Sequence, residues 1–261
     1  MPYPANTITP GVPSQPIPPA GGGTIRTKPQ YTQEEIRLRT EAALQVVQQE
    51  GLPDLVQRCR SGTDADKEKA AALLSFIATH DQGCACMIVS AGGIDPLVAM
   101  LHADAGRGDE DPTLDMKEQA CKTIRDLCHG DPGSTSRPIA ERGGIPPLID
   151  IISESSHPWS IREAAAEALA LLAYETSGGP AQEIITEMDG VYKLLACYRT
   201  AGCTPLCKVE IAKALRYLTV YDMAKQQMRH LGILQPRETD PDSDGFEEVD
   251  AILMGATLPP A

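Results

Sequence analysis

Apolar residues recur along the chain in two short patterns. In the first, a glycine is followed directly by an aliphatic residue. Leucine and a second aliphatic residue follow four and five positions after the glycine, as in Leu97-Val98. Copies begin at Gly51, Gly93, Gly144 and Gly190, with a partial fifth at Gly232, so that successive glycines are 42, 51, 46 and 42 residues apart. The glycine predicts a turn with positive φ after a short helix, and the aliphatic residues predict another short helix.

The second pattern follows each complete copy of the first and predicts a longer helix. A small or aliphatic pair precedes two larger aliphatic residues, at relative positions 0, 1, 4 and 7. This spacing places the four side chains on one face of an α-helix, so each copy predicts one buried face. The pairs are Ala70-Ala71, Ala120-Cys121, Ala165-Ala166 and Ile211-Ala212. Their small size lets neighbouring helices approach closely.

Two helical patterns in every repeat predict an all-α fold, an α-solenoid in which each unit buries its apolar face against the next. Residues 1–30 contain eight prolines and no acidic residue, which predicts an extended arm. Residues 31–235 are predicted to form the repeat domain. Residues 236–261 contain seven acidic residues and one basic residue, which predicts an acidic, largely irregular tail.

Two segments carry a resemblance to a known family. Residues 88–97, with Gly92-Gly93-Ile94-Asp95-Pro96-Leu97, and residues 139–148, with Gly143-Gly144-Ile145-Pro146-Pro147-Leu148, resemble the armadillo repeat. The resemblance covers roughly residues 34–235. It implies a right-handed solenoid of about four armadillo-type repeats with a partial C-terminal one, and a non-catalytic scaffold for protein–protein interaction.

The family's peptide-binding residues are replaced in this chain. Armadillo proteins that bind extended peptides, such as importin-α and β-catenin, carry Asn between the two core aliphatics of the long third helix, and importin-like proteins place Trp four residues earlier. The matching positions hold Phe76, Asp126, Leu171 and Tyr217 in the first set, and Ala72, Lys122, Glu167 and Lys213 in the second. Binding of a nuclear-localisation signal in the family's manner is therefore not expected.

The resemblance implies that these positions line the concave face of the solenoid. The residues predicted to bind a partner there are Phe76, Lys122, Asp126, Glu167, Leu171, Lys213 and Tyr217. Apolar groups with mixed charge suit an amphipathic helix or an apolar-anchored segment better than a bare extended backbone. In the alternative interpretation, Phe76, Leu171 and Tyr217 pack beneath the protein's own arm or tail.

The composition narrows the class of partner. Lys and Arg total 23 against 36 Asp and Glu, a formal net charge of −13, which disfavours binding to nucleic acid or to an anionic membrane surface. No run of 18 apolar residues is present, so membrane insertion is not expected. The first residues lack the features of a secretory signal. We therefore expect a cytoplasmic protein with protein partners. Association with a cilium or the cytoskeleton, and a nuclear location, are alternatives.

Candidate chemistry is weak throughout the chain. The close cysteine clusters, Cys84-Ala85-Cys86, Cys128-His129 and Cys203-x3-Cys207, lack the paired spacing of a structural zinc site, so no metal is predicted. Asp240-x-Asp242-x-Asp244-Gly245 resembles the start of a calcium loop, but Ala251 replaces the bidentate glutamate. No phosphate loop or nucleophile motif occurs. We predict no enzymatic activity, no cofactor and no small-molecule substrate.

Two functional hypotheses remain from the sequence. In the first, the chain is an adaptor that recruits one partner through its concave face. In the second, it is a structural subunit of a large assembly, for example a ciliary axoneme complex, held by its extended termini. A calcium-regulated binder that uses the acidic tail is a third and weaker alternative.

Overall fold

The computed structural model describes residues 51–80, 84–103, 112–130, 132–174 and 179–234. Every described residue belongs to one compact unit of the chain. The predicted arm and the predicted tail with its calcium-loop motif lie outside the described residues.

The described residues form twelve α-helices and no strand. In chain order they are α1 Leu52–Ser61, α2 Asp64–His80, α3 Cys84–Ser90, α4 Ile94–Leu101, α5 Pro112–Gly130, α6 Pro132–Glu141, α7 Ile145–Ser153, α8 Trp159–Ala173, α9 Pro180–Glu187, α10 Gly190–Arg199, α11 Pro205–Leu218 and α12 Asp222–His230. The all-α fold predicted from the two apolar patterns is confirmed.

The helices are arranged in three rows, each with one helix per repeat. The first row is α3, α6, α9 and α12, the second is α1, α4, α7 and α10, and the third is α2, α5, α8 and α11. Third-row helices are 14 to 19 residues long and pack against one another in chain order. Three complete three-helix repeats are therefore described, preceded by α1 and α2 of another repeat and followed by α12.

The core consists of the aliphatic positions of the two sequence patterns. In the second row, Leu55, Leu97, Leu148 and Leu194 are each at most 1% exposed. In the third row, Leu74, Ile124, Leu169 and Leu215 are buried to the same extent. Burial of a leucine or isoleucine side chain contributes about 1.5–3 kcal/mol, so this repeated apolar face is the main source of stability for each helix.

The predicted positive φ at the pattern glycine is wrong in three of the five turns. Gly51 and Gly232 have φ of 79° and 68°, as expected, but the positive φ of the other turns lies one residue earlier, at Gly92, Gly143 and Asp189. In the two double-glycine turns the second glycine has a different role. A Cβ on Gly93 would lie 2.7 Å from Cγ2 of Ile88, and a Cβ on Gly144 would lie 2.6 Å from Cγ2 of Ile139. The second glycine is therefore required by close packing rather than by its φ.

Among the described helices, none is by itself both long and apolar enough to cross a membrane. The pair formed by α3 and α4 reaches that length and composition together, with a bend of 80° between the two helices.

Candidate partner-binding face

All seven residues predicted to bind a partner lie on the third-row helices. Phe76 is on α2, Lys122 and Asp126 on α5, Glu167 and Leu171 on α8, and Lys213 and Tyr217 on α11. Because α2, α5, α8 and α11 pack side by side, these equivalent positions form two lines across neighbouring helices. We call the surface formed by these seven residues the third-helix face.

A chain of polar contacts joins three of the third-row helices. Ser75 Oγ on α2 donates a hydrogen bond to Oδ2 of Asp126 on α5. Arg125 Nε donates to Oδ1 of Asp126 over 2.7 Å, and Arg125 Nη1 donates to Oε2 of Glu167 on α8 over 3.0 Å. Burial would lower the pKa of Arg125, but the contacts with Asp126 and Glu167 outweigh it and raise this pKa above its usual value. Arg125 is therefore held in its charged form between two carboxylates.

Asp126 is the most enclosed of the predicted charged positions. Asp126 is only 5% exposed, and its two carboxylate oxygens accept hydrogen bonds from Ser75 and Arg125. In this arrangement Asp126 links helices α2 and α5, and little of its carboxylate is accessible from outside.

The other charged positions also have partners within the chain. Lys122 Nζ lies 2.5 Å from Oε1 of Glu118, whose other carboxylate oxygen accepts a hydrogen bond of 2.7 Å from Ser160 Oγ on α8. Lys213 Nζ donates to Oε1 of Glu210 over 2.8 Å. The Lys213 side chain is 47% exposed and is therefore the most accessible charge among the predicted residues.

Two tyrosines form an aromatic pair at the α8–α11 end of the third-helix face. The rings of Tyr174, directly after α8, and Tyr217, on α11, meet edge to face with centroids 4.9 Å apart and an interplanar angle of 72°. Tyr174 is 50% exposed, and Leu171 lies one helical turn before it. We call Leu171, Tyr174 and Tyr217 the tyrosine patch.

A buried glutamine holds the backbone beneath the tyrosine patch. Gln182, on α9, is fully buried, and its Nε2 donates to the carbonyl oxygen of Ala173 over 2.9 Å and to that of Tyr217 over 3.2 Å. The end of α8 and the last turn of α11 are thereby tied to the same side chain. The two tyrosine side chains thus extend from a fixed backbone.

Sequence reasoning placed Leu171 and Tyr217 in the site but missed Tyr174. Tyr174 follows the last residue of α8 and so lies outside both repeated patterns. Its position three residues after Leu171 was the only available signal. Phe76 is half-buried on α2, and α5 lies between α2 and α8, so the structure does not bring Phe76 together with the tyrosine patch.

Sequence comparison detects only distant relatives. No family model matches the chain. A segment of 101 residues is 26% identical to the splicing regulator ARVCF of Rattus norvegicus and, equally, to that of Homo sapiens. The matched segment is 39% of this chain and spans only 10% of the length of ARVCF.

Comparison with solved structures identifies the fold. A computationally designed armadillo repeat protein for modular peptide recognition matches 87% of this chain and 95% of its own, with a TM-score of 0.63 and 16% identity. A designed armadillo repeat protein in complex with the peptide (KR)4 matches 86% of this chain and 92% of its own, with a TM-score of 0.60 and 15% identity. The armadillo repeats only protein of Plasmodium falciparum matches 87% of this chain and 100% of its own, with a TM-score of 0.56 and 16% identity.

Proposed function

We propose that the chain is a non-catalytic scaffold that binds a protein partner through the third-helix face, with the tyrosine patch as the anchor point. Its armadillo solenoid fold is typical of protein-binding scaffolds. The observation that carries this proposal is the preorganised edge-to-face pair formed by the exposed Tyr174 and the half-buried Tyr217. Tyrosine contributes a large contact area at low entropic cost and is enriched among the residues that dominate binding energy.

The surroundings of the patch favour an apolar-anchored partner. The charged side chains of the third-helix face already pair within the chain, so most of them offer no unmatched charge to a ligand. The replacement of the family's Asn positions removes the usual hydrogen bonds to an extended peptide backbone. An amphipathic helix, or a segment with one or two large apolar side chains, is the best match for the apolar surface of the tyrosine patch. The net charge of −13 favours a partner that is not acidic.

Site-directed photo-crosslinking tests the proposal. The photoreactive residue p-benzoylphenylalanine is introduced at Tyr174 in one variant and at Tyr192 in another. Tyr192 is a matched control because it is 37% exposed but belongs to the second-row helix α10. After irradiation in a native extract, we expect a dominant protein adduct at position 174 and none at position 192, identified by mass spectrometry.

A second pair of variants separates the patch from general apolar exposure. Leu171→Ser combined with Tyr217→Ser should abolish the adduct at position 174, while the helical circular dichroism stays unchanged. Met87→Ser combined with Met223→Ser, at residues 58% and 53% exposed in the first row, should leave it intact. An adduct that survives loss of Leu171 and Tyr217 would contradict the proposal.

The cytoplasmic location is likewise proposed only from composition and charge. The alternative of a structural subunit held by extended termini depends on residues 1–30 and 236–261, which lie outside the described residues. It stays a prediction from the sequence.

A further inference from the structure

Three cysteines meet at the corner between α10 and α11. Cys197 is on α10, Cys203 is in the connecting loop, and Cys207 is in the first turn of α11. Their exposed fractions are 3%, 8% and 0%, and the three Sγ atoms all lie within 4.8 Å of one another. This is the only such group of potential metal ligands within the described part of the chain.

A buried arginine faces this cluster. Arg162, on α8, is 4% exposed. Its Nε donates to the carbonyl oxygen of Ile152 over 2.9 Å, its Nη2 lies 3.1 Å from Sγ of Cys197, and its guanidinium carbon lies 4.0 Å above the Trp159 ring. Among the described residues no carboxylate pairs with Arg162.

The missing carboxylate points to negative charge on the cysteine cluster. A guanidinium does not lose its proton in a protein, and a buried charge is costly unless an opposite charge lies beside it. Within the described part of the chain, the only polar side-chain atom bonded to Arg162 is the sulfur of Cys197. A thiolate at this position supplies the counter-charge, and thiolates are the form of cysteine that binds metal ions.

The remaining buried cysteines lack this environment. Burial raises the pKa of Cys59, Cys121 and Cys128 to about 12. By contrast, Sγ of Cys197 lies 3.1 Å from Nη2 of Arg162 and within 4.8 Å of the sulfurs of Cys203 and Cys207. The cluster is thus distinct in its surroundings from the cysteines that serve as small core residues.

We propose that Cys197, Cys203 and Cys207 form a three-thiolate site for a thiophilic divalent metal ion of the Zn²⁺ class, with Arg162 as the charge-balancing partner. Zn–S bonds of about 2.3 Å place the sulfurs of a tetrahedral site about 3.8 Å apart, so the cluster needs to contract by about 1 Å or less. Zn²⁺ with three thiolates carries one net negative charge, which Arg162 neutralises.

Metal binding at this site involves no oxidation or reduction. Each cysteine that enters as a thiol releases its proton to solvent as its sulfur binds the metal. The fourth coordination position is left to water or to a ligand from outside the chain. The metal would connect α10, the loop and α11 within the last complete repeat.

The sequence spacing predicted no metal here because only neighbouring cysteines were compared. Cys203-x3-Cys207 offers two ligands, whereas the third, Cys197, comes from the preceding helix and the arginine from a different repeat.

Metal binding by the full-length reduced chain tests the proposal under anaerobic conditions. Titration with Cd²⁺ should produce thiolate charge-transfer absorbance that saturates at one ion per chain. Added Zn²⁺ should displace the Cd²⁺ and remove this absorbance. Cys203→Ser is the key variant because Cys203 lies in a loop, and it should lose this absorbance. Cys121→Ser, at a buried cysteine on α5, is the matched control and should keep it.

The positioning role of Arg162 is tested separately. Replacement of a residue that supports a metal ligand typically weakens affinity by about 10–100-fold, and Arg162→Lys should show a loss in this range. Zn²⁺ should also raise the melting temperature of the parent chain but not of Cys203→Ser, because a ligand that binds only the folded state stabilises it.

Three results would overturn the proposal. The first is cadmium–thiolate absorbance that persists in Cys203→Ser, and the second is absence of that absorbance in the parent chain. The third is a disulfide among these three cysteines in protein purified under reducing conditions, together with failure of that protein to bind metal. Circular dichroism of each variant shows whether a lost signal reflects the site or the fold.

Discussion

Neighbouring glycines in one turn have separate roles at the scale of single residues. Gly143 has φ of 76°, and a Cβ added there would meet nothing within 4 Å. Gly144 has φ of −73°, which any residue adopts, but its Cβ would lie 2.6 Å from Cγ2 and 3.1 Å from the carbonyl oxygen of Ile139. The first glycine satisfies a backbone requirement and the second a steric one.

Alanine substitutions distinguish these two roles. Gly143→Ala should lower the free energy of unfolding by about 1–2 kcal/mol, the cost of a left-handed conformation for an ordinary residue. Gly144→Ala forces α6 away from α7 and should cost about 1–3 kcal/mol through overpacking. In the Ile139→Val background, which keeps Cγ2, Gly144→Ala should cost as much as in the parent chain, whereas in the Ile139→Ala background it should cost less. Urea unfolding of the single and double variants measures each value, and a smaller cost of Gly143→Ala in the Ile139→Ala background would contradict this assignment.

At the scale of elements, a short polar chain sets how the third-row helices pack. Hydrogen bonds among Ser75, Asp126, Arg125 and Glu167 connect α2, α5 and α8. Buried polar groups of this kind are costly when one partner is lost, because the remaining group stays desolvated. The contacts therefore define the register of neighbouring repeats as well as their stability.

Removal of the central carboxylate tests this role. Asp126→Ala should lower the free energy of unfolding by about 1–3 kcal/mol, since Ser75 loses its partner and Arg125 loses one of its two carboxylates. The matched control is Asp95→Ala. Asp95 also pairs with an arginine, Arg142, at 2.7 Å, but both side chains are largely exposed, so the expected cost is about 0–1 kcal/mol.

Equal losses in the Asp126→Ala and Asp95→Ala variants would show that burial does not decide the contribution of these ion pairs. Chemical denaturation of both variants at the same ionic strength makes the comparison.

At the scale of the whole molecule, stability is distributed by position along the rows. The third-row helix α8 packs against α5, α7 and α11, whereas α12 has no following repeat among the described residues. In a solenoid each repeat is stabilised by its neighbours, so the interior helices have the largest share of interfaces.

Hydrogen exchange should follow this distribution. We expect the amides of α5 and α8 to exchange slowest and those of α12 at least about tenfold faster, because terminal units open locally at lower free energy. Mass spectrometry of peptides from these helices measures the difference. Uniform protection from α5 to α12 would indicate that the chain opens as one cooperative unit instead.

The sequence by itself determined the fold class and the buried face of each helix. Both follow from spacing within a segment, because a helix with a period of 3.6 residues places positions such as Leu169 and Leu172 on one side whatever its neighbours are. The repeated phrases around Gly93 and Gly144 also located the turns to within one residue. The residue with positive φ depends on how the preceding helix ends, which spacing does not reveal.

Only the tertiary structure decided which side chains from different repeats meet. Tyr174 joins Tyr217, Asp126 becomes enclosed, and Arg162 reaches Cys197 across 35 residues of sequence. These contacts depend on the angle and register at which helices pack, and several registers are compatible with the same apolar pattern. Local spacing therefore specifies the faces of the helices, whereas the contacts between those faces create the candidate sites.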